Sequence, residues 1–414
     1  MLNEAFHRRD GALWCEDVPL DALAEAVGTP VYVYSAGRIA ANVARLRAAF
    51  DPLGAAIHYS LKANANLTLI GLLHGAGLGM DAVSAGEIYR ALNAGVAPER
   101  IVFAGVGKTP QELAYALDAG IGWFNVESEA ELRTLDTLAG QRNVRPHVAL
   151  RVNPGVEAQT HRHIATGHFG AKFGLPPTEV ADILARRADY PHVDLAGLHV
   201  HIGSQLARPD ETVEAARTAQ ALAAPYPDVR TLNIGGGFPV AYVGDEGYPG
   251  PQAFAAALAP LLGGWQVKIE PGRSIIADAG ALLVSVLYVK TQGGQRFVLT
   301  DGSMTELIRP ALYDAVHPVV PVGNLSGDVS DAVVAGPVCE SADVLNRCAP
   351  LPDMRSGDRL AVLGTGAYGM VMASNYNMRV RPPEVLVQGA AWRVIRRRET
   401  WDDLLALERE ADSK

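Results

Sequence analysis

From residue 31 to about 270, short runs of apolar, β-branched and aromatic residues alternate with longer segments whose apolar positions recur every three or four residues. The short runs predict strands over 57–60, 80–83, 101–104, 122–125, 148–152, 197–202, 232–235 and 267–270. Between them the amphipathic pattern predicts helices over 66–75, 85–93, 111–118, 129–138, 178–187, 211–222 and 252–262. About eight strands, each followed by a helical crossover, describe an α/β fold of the (β/α)8 TIM-barrel type, whose chemistry gathers at the C-terminal ends of the strands. A doubly wound open sheet has the same alternation, and periodicity alone does not separate the two.

Past residue 270 the texture changes. Strand-like runs over 282–290, 296–299, 332–334, 360–362 and 384–387 are parted by Gly, Pro and Asp, and helical period returns only over 401–407. This pattern predicts a second, β-rich C-terminal domain, to which a strand over 12–15 and a helix over 20–27 could add. The expected division is a barrel over 31–270 and a β-rich domain over 1–30 and 271–414. No internal repeat or low-complexity segment interrupts it.

With 49% apolar and 20% charged residues among 414, the chain reads as a globular protein with a large core. A net charge of -9 and no basic tract beyond Arg396–Arg398, read as a solvated strand end, argue against a nucleic-acid partner. Cys15, Cys339 and Cys348 have neither the spacing of a zinc knuckle nor the number of a disulfide framework, which fits a reducing cytoplasm. The first ten residues carry charge where a signal peptide needs an apolar core, and the apolar stretch 274–289 is broken by Asp278. A soluble cytoplasmic chain with no membrane partner is expected.

The polar residues that stand out end the predicted strands. Lys62 closes the first, where desolvation would lower its pKa and make it a nucleophile able to form a Schiff base. His199 and His201, two apart, share a strand face, as a metal-ligand pair or as a ring laid against a flat cofactor would. His161 and His163 lie in a different loop, and no dependable further metal ligand stands beside the pair. Gly235–Gly237 allow close approach of backbone N–H groups to an anion, or simply a tight turn. Glu270 is a carboxylate at the end of an apolar strand, which demands a positive partner: a protonated pyridine nitrogen, or Arg273 in a plain structural pair. Taken together, an amine, an anion cradle, a carboxylate for a ring nitrogen and a stacking imidazole specify pyridoxal 5'-phosphate.

The motifs HYSLKAN, NPGVEAQTHRHIATGHFGAKFG, HVHIGSQ, GGGFP, EPGR, LIRPALYDA, GPVCESAD, GAYG and YNMRVRPPEVLV occur in that order over residues 10 to 395. In them the chain resembles the alanine-racemase-like, fold-type III pyridoxal-phosphate decarboxylases, and among these the diaminopimelate decarboxylase family. The resemblance implies that Lys62 joins the cofactor, with Asp81 close to it. It implies that His201 stacks on the ring, that Glu270 pairs with the ring nitrogen, and that Ser204, Gly236, Gly237, Arg273 and Tyr368 complete the cofactor site. For the substrate it implies Arg273, Arg309, Tyr313, Glu340 and Tyr368, with Cys339 acting in protonation. Cys339 and Glu340 would come from the second subunit of a homodimer. The implied reaction is decarboxylation of meso-2,6-diaminopimelate at its D-centre to L-lysine and carbon dioxide, the last step of lysine biosynthesis. Related substrates such as carboxynorspermidine, arginine or a carrier-bound amino acid are the alternative. Arg309 favours the former, because a planar guanidinium grips a distal carboxylate in two-point fashion. Ala165, Val316 and Val380 depart from the family pattern and touch fine substrate preference.

Overall fold

The computed structural model of the chain describes residues 1–156, 170–244, 247–325 and 327–411. His161, His163 and Ala165 lie outside the described residues. Eight parallel strands close a barrel in sequence order: β1 (Ala56–Ser60), β2 (Gly79–Ala82), β3 (Ile101–Phe103), β4 (Trp123–Val126), β5 (His147–Val152), β6 (Asp194–Val200), β7 (Thr231–Asn233) and β8 (Gln266–Ile269). Closure is made where β8 pairs with β1, Lys268 opposite Ala56 and Ile269 opposite Ile57, so the open-sheet alternative is excluded. Every residue of β2 and β4 is buried, as expected of strands covered on both faces.

The helices begin close behind the strands because polar caps stop them there. Ser84, Thr109 and Ser128 each accept the backbone N–H three residues on, and Thr109 with Glu112 forms a full capping box. Strand and cap together fix short, rigid loops at the C-terminal face of the barrel. Strand ends differ from expectation by at most three residues. β6 stops at Val200, so His201 lies beyond it, and Gly235 at φ 67° turns the chain away from β7.

The chain divides into two compact units, residues 43–240 with 247–274, and residues 1–42 with 241–246 and 275–414. The expected boundary at residue 31 is corrected here. Val31–Ser35, wholly buried, pairs antiparallel with Gly280–Gln292 and parallel with Glu384–Gln388, in the β-rich unit. A strand buried on both faces carries no mark of which sheet it enters, hence the misassignment.

In that unit a nine-stranded sheet runs Val344–Leu351, Ser330–Ala335, Gln295–Thr300, Gly280–Gln292, Val31–Ser35, Glu384–Gln388, Ala391–Arg396, with Arg359–Leu363 joining Gly280–Gln292 to Val319–Pro321. The strand Ala12–Cys15 instead belongs to a small separate sheet with Phe6–Arg9 and Val18–Pro19. Phe6, Leu13, Leu20 and Leu23 pack with Val31, Val33, Leu283 and Val385 in one core. The apolar stretch 274–289 is mostly the strand Gly280–Gln292, and among the described residues no helix is long and apolar enough to cross a membrane.

Candidate active site

Six barrel strands deliver polar side chains to one place. Lys62 sits in the single turn Leu61–Ala63 after β1, with Nζ 3.4 Å from Asp81 Oδ2 on β2. Ser60 Oγ donates to the same carboxylate oxygen at 2.7 Å and lies 3.0 Å from the Glu270 carbonyl, tying the end of β1 to the end of β8. Glu270 Oε1 accepts from Asn125 of β4 at 2.9 Å and from Asn233 of β7 at 2.5 Å. Its Oε2 faces His199 Nε2 of β6 at 3.3 Å. Glu270 is thus clamped by two amides and one imidazole, while Arg273 donates to Ser204 Oγ at 3.2 and 3.1 Å.

Electrostatics separate the two buried carboxyls. Burial penalises Glu270, but His199, Lys62 and Asn233 outweigh it and hold the carboxyl far below the ordinary range. Burial, and next the Glu270 charge, push Asp81 up, against Lys62 and Ser60. Burial and the charges of Lys62 and Arg151 hold His201 well below its usual pKa, so its ring is neutral at pH 7. Lys62 bears on all three groups, which is the electrical sign that they converge. The amine is less sheltered than the sequence suggests, its side chain keeping 37% exposure.

The glycine loop differs from its expected form. Gly235 N–H donates to Asn233 Oδ1 at 3.0 Å and Gly236 N–H to His201 Nδ1 at 3.2 Å, so these two do not form an anion cradle of consecutive donors. Their work is to hold Asn233 and the neutral His201 ring. The loop also closes on its neighbour: Leu206 N–H donates to Gly237 O, and Gln205 bonds both N–H and C=O of Val240. A Cβ on Gly236 would stand 2.3 Å from the Glu270 carbonyl oxygen. Gly236→Ala is therefore expected to cost about 2 kcal/mol of stability, read as a lower urea midpoint together with weaker cofactor binding.

The remaining residues belong to the β-rich unit. Arg309 opens the short helix Arg309–Tyr313, buried, its guanidinium 6.0 Å from the Tyr313 ring. Cys339 is exposed; its N–H donates to Asn377 Oδ1, and Glu340 Oε1 accepts from Tyr376 Oη at 2.6 Å. Tyr368 has φ 56°, a costly backbone state for an aromatic residue that points to a special role. Val316 is exposed and Val380 partly so.

Sequence reasoning missed the supporting layer. Asn125 and Asn233 end their strands without a motif to mark them. Glu127 and Arg151 form a buried pair at 2.7 Å, from which Arg151 reaches the His201 carbonyl. His199 was visible through its spacing from His201, but its pairing with Glu270 was not.

The donor set suits a flat ring with a basic nitrogen, an aldehyde and an anionic tail. It offers an amine, an ionised buried carboxylate, a neutral imidazole, and an arginine with a hydroxyl. The buried Asp81 Oδ1 has no hydrogen-bond partner among the described residues, a place for a ligand group. Among them, also, no three His, Cys, Asp or Glu cluster as metal ligands would.

Comparison with known proteins gives a match over residues 36–277 to the family described as "Pyridoxal-dependent decarboxylase, pyridoxal binding domain". A diaminopimelate decarboxylase of Aquifex aeolicus is 41% identical over 97% of this chain and 96% of its own. The crystal structure of diaminopimelate decarboxylase from Helicobacter pylori with L-lysine superposes with TM-score 0.90 at 37% identity, covering 95% of this chain and 100% of that one. The crystal structure of diaminopimelate decarboxylase from M. jannaschii in co-complex with L-lysine gives TM-score 0.93 at 34% identity over 99% of this chain and 98% of that one.

Proposed function

The chain belongs to the pyridoxal-dependent decarboxylases and, within them, to the diaminopimelate decarboxylases; from that premise we infer that it decarboxylates meso-2,6-diaminopimelate at the D-centre to give L-lysine. Glu270 carries the proposal. A carboxylate this buried, held ionised by Asn125, Asn233 and His199, is a fixed negative charge suited to a cationic ring nitrogen as its partner.

Pyridoxal phosphate, when bound, supplies the electron sink for the carbanion left by carbon dioxide. The chain supplies position and charge. Lys62 Nζ offers the attaching amine, oriented by Asp81. His201, kept neutral and held by the Gly236 N–H, offers a ring face without adding charge. Ser204, Arg273, Gly237 and Tyr368 are the residues that would hold the phosphate. Arg309 and Tyr313 read the distal carboxylate, Glu340 takes the distal ammonium, and Cys339 Sγ delivers the proton to the reacting carbon. Incubation with pyridoxal phosphate and carboxyl-labelled meso-diaminopimelate should release labelled carbon dioxide and equimolar lysine. Faster turnover of a substrate lacking the distal amino acid group would overturn the assignment.

We further propose a cytoplasmic homodimer in which Cys339 and Glu340 serve the partner's barrel. Both are exposed in the single chain, although the proposed chemistry needs them sheltered. Mixing Lys62→Ala with Cys339→Ala protein should restore up to about a quarter of wild-type activity, the share of sites expected from random subunit exchange that keep both groups. No recovery after exchange is verified by mass would count against shared sites.

A further inference from the structure

We propose that His317 is a positioning residue for the substrate: it fixes the Arg309 guanidinium so that only its end edge meets the distal carboxylate. This rests on the reading of Arg309 given above.

Arg309 Nε donates to His317 Nε2 at 3.2 Å, and His317 Nδ1 lies 3.0 Å from the Leu363 carbonyl oxygen. A carbonyl oxygen only accepts, so Nδ1 carries the proton. Nε2 then holds a lone pair, which is what the Arg309 N–H requires. Two contacts thus fix the tautomer. His317 is 0% exposed and Arg309 6%, so neither side chain has room to turn. Tyr242 locks the pair from another side: its ring meets His317 edge-on at 5.2 Å and lies 5.1 Å from Arg309 Cζ.

A guanidinium can grip a carboxylate in two-point fashion through Nε with one Nη, or through both Nη groups. His317 occupies the first edge. A carboxylate gripped in two-point fashion then takes the second, which sets the direction of its approach. His317 follows directly on LIRPALYDA and Val316, a stretch whose sequence signal lies in Arg309 and Tyr313 and says nothing of an imidazole behind them.

The test uses the holoenzyme with L-lysine and cadaverine as competing inhibitors, which share a terminal amine while lysine alone carries the carboxylate. The ratio of their inhibition constants is measured for wild type, Arg309→Lys, His317→Gln and His317→Asn. Glutamine puts a carbonyl oxygen near the place of Nε2, and asparagine stops short of it. Arg309→Lys and His317→Asn should each cut the preference for lysine about tenfold or more, the worth of a charged hydrogen bond. His317→Gln should keep most of it. In His317→Asn the KM for meso-diaminopimelate should rise with kcat little changed, a split that a general loosening of the fold would not give. If His317→Asn keeps the preference that Arg309→Lys loses, His317 is structural and the proposal fails while the substrate reading stands. If Arg309→Lys changes nothing, Arg309 reads no carboxylate and both fall. Independently of any variant, nitrogen-15 histidine spectra of the wild-type protein should show His317 Nε2 unprotonated at neutral pH, and a protonated Nε2 would overturn the proposal.

Discussion

Replacing Lys62 with alanine lowers kcat by about four orders of magnitude, the usual scale for deleting an attaching nucleophile, and abolishes the visible absorbance that the protein acquires with pyridoxal phosphate. Lys62 is the amine whose charge acts at once on Asp81, Glu270 and His201. Its side chain is 37% exposed, so the truncation opens no core cavity, and the urea midpoint should stay near that of wild type. Loss of turnover without loss of fold separates a chemical role from a structural one. A variant with normal absorbance and turnover would mean that another amine does this work.

Glu270→Gln has the second largest expected effect. Two unit charges about 3 Å apart at an effective dielectric of about 20 attract by about 5 kcal/mol before desolvation. Losing most of that lowers kcat by about a thousandfold, with weaker cofactor binding and a shifted visible spectrum. Glutamine keeps the volume and one carbonyl acceptor for Asn125 and Asn233, so the charge is what the substitution removes. An unchanged rate would show that the carboxylate is a structural brace. The same group predicts a pH effect. Its folded pKa lies below the unfolded value of 4.5, so its contribution to stability is complete above that pH and fades as the pH falls toward the folded value. Acid unfolding of the apoprotein should therefore be shallower in Glu270→Gln, measured by tryptophan fluorescence.

The eight barrel strands were legible because strands buried on both faces are continuous apolar runs set off by turn residues. The reactive residues were legible where chemistry forces an odd choice, as with a lysine or a carboxylate ending an apolar strand. What the sequence hid is of two kinds. Val31–Ser35 has the texture of a barrel strand but joins the β-rich sheet, because pairing partners are set by tertiary contacts and not by composition. The strands Val344–Leu351 and Ala391–Arg396 were missed because water-facing residues dilute their apolar signal, the second being exposed over most of its length. At the site, Lys62, Glu270 and His201 stood out singly. Asn125, Asn233, Arg151 and His317 did not, since a polar residue that orients another looks like any polar residue until the fold brings the two together. The glycine triplet was read for its N–H groups toward an anion, whereas two of those groups hold side chains of the protein itself.

Borohydride reduction of the protein saturated with pyridoxal phosphate, followed by digestion and peptide mass mapping, tests most directly whether this barrel face is a cofactor site. A single pyridoxyl group is expected, on Lys62, in the peptide that contains His58 to Asn64. Label on another lysine, or none on a protein shown to be folded, would contradict it.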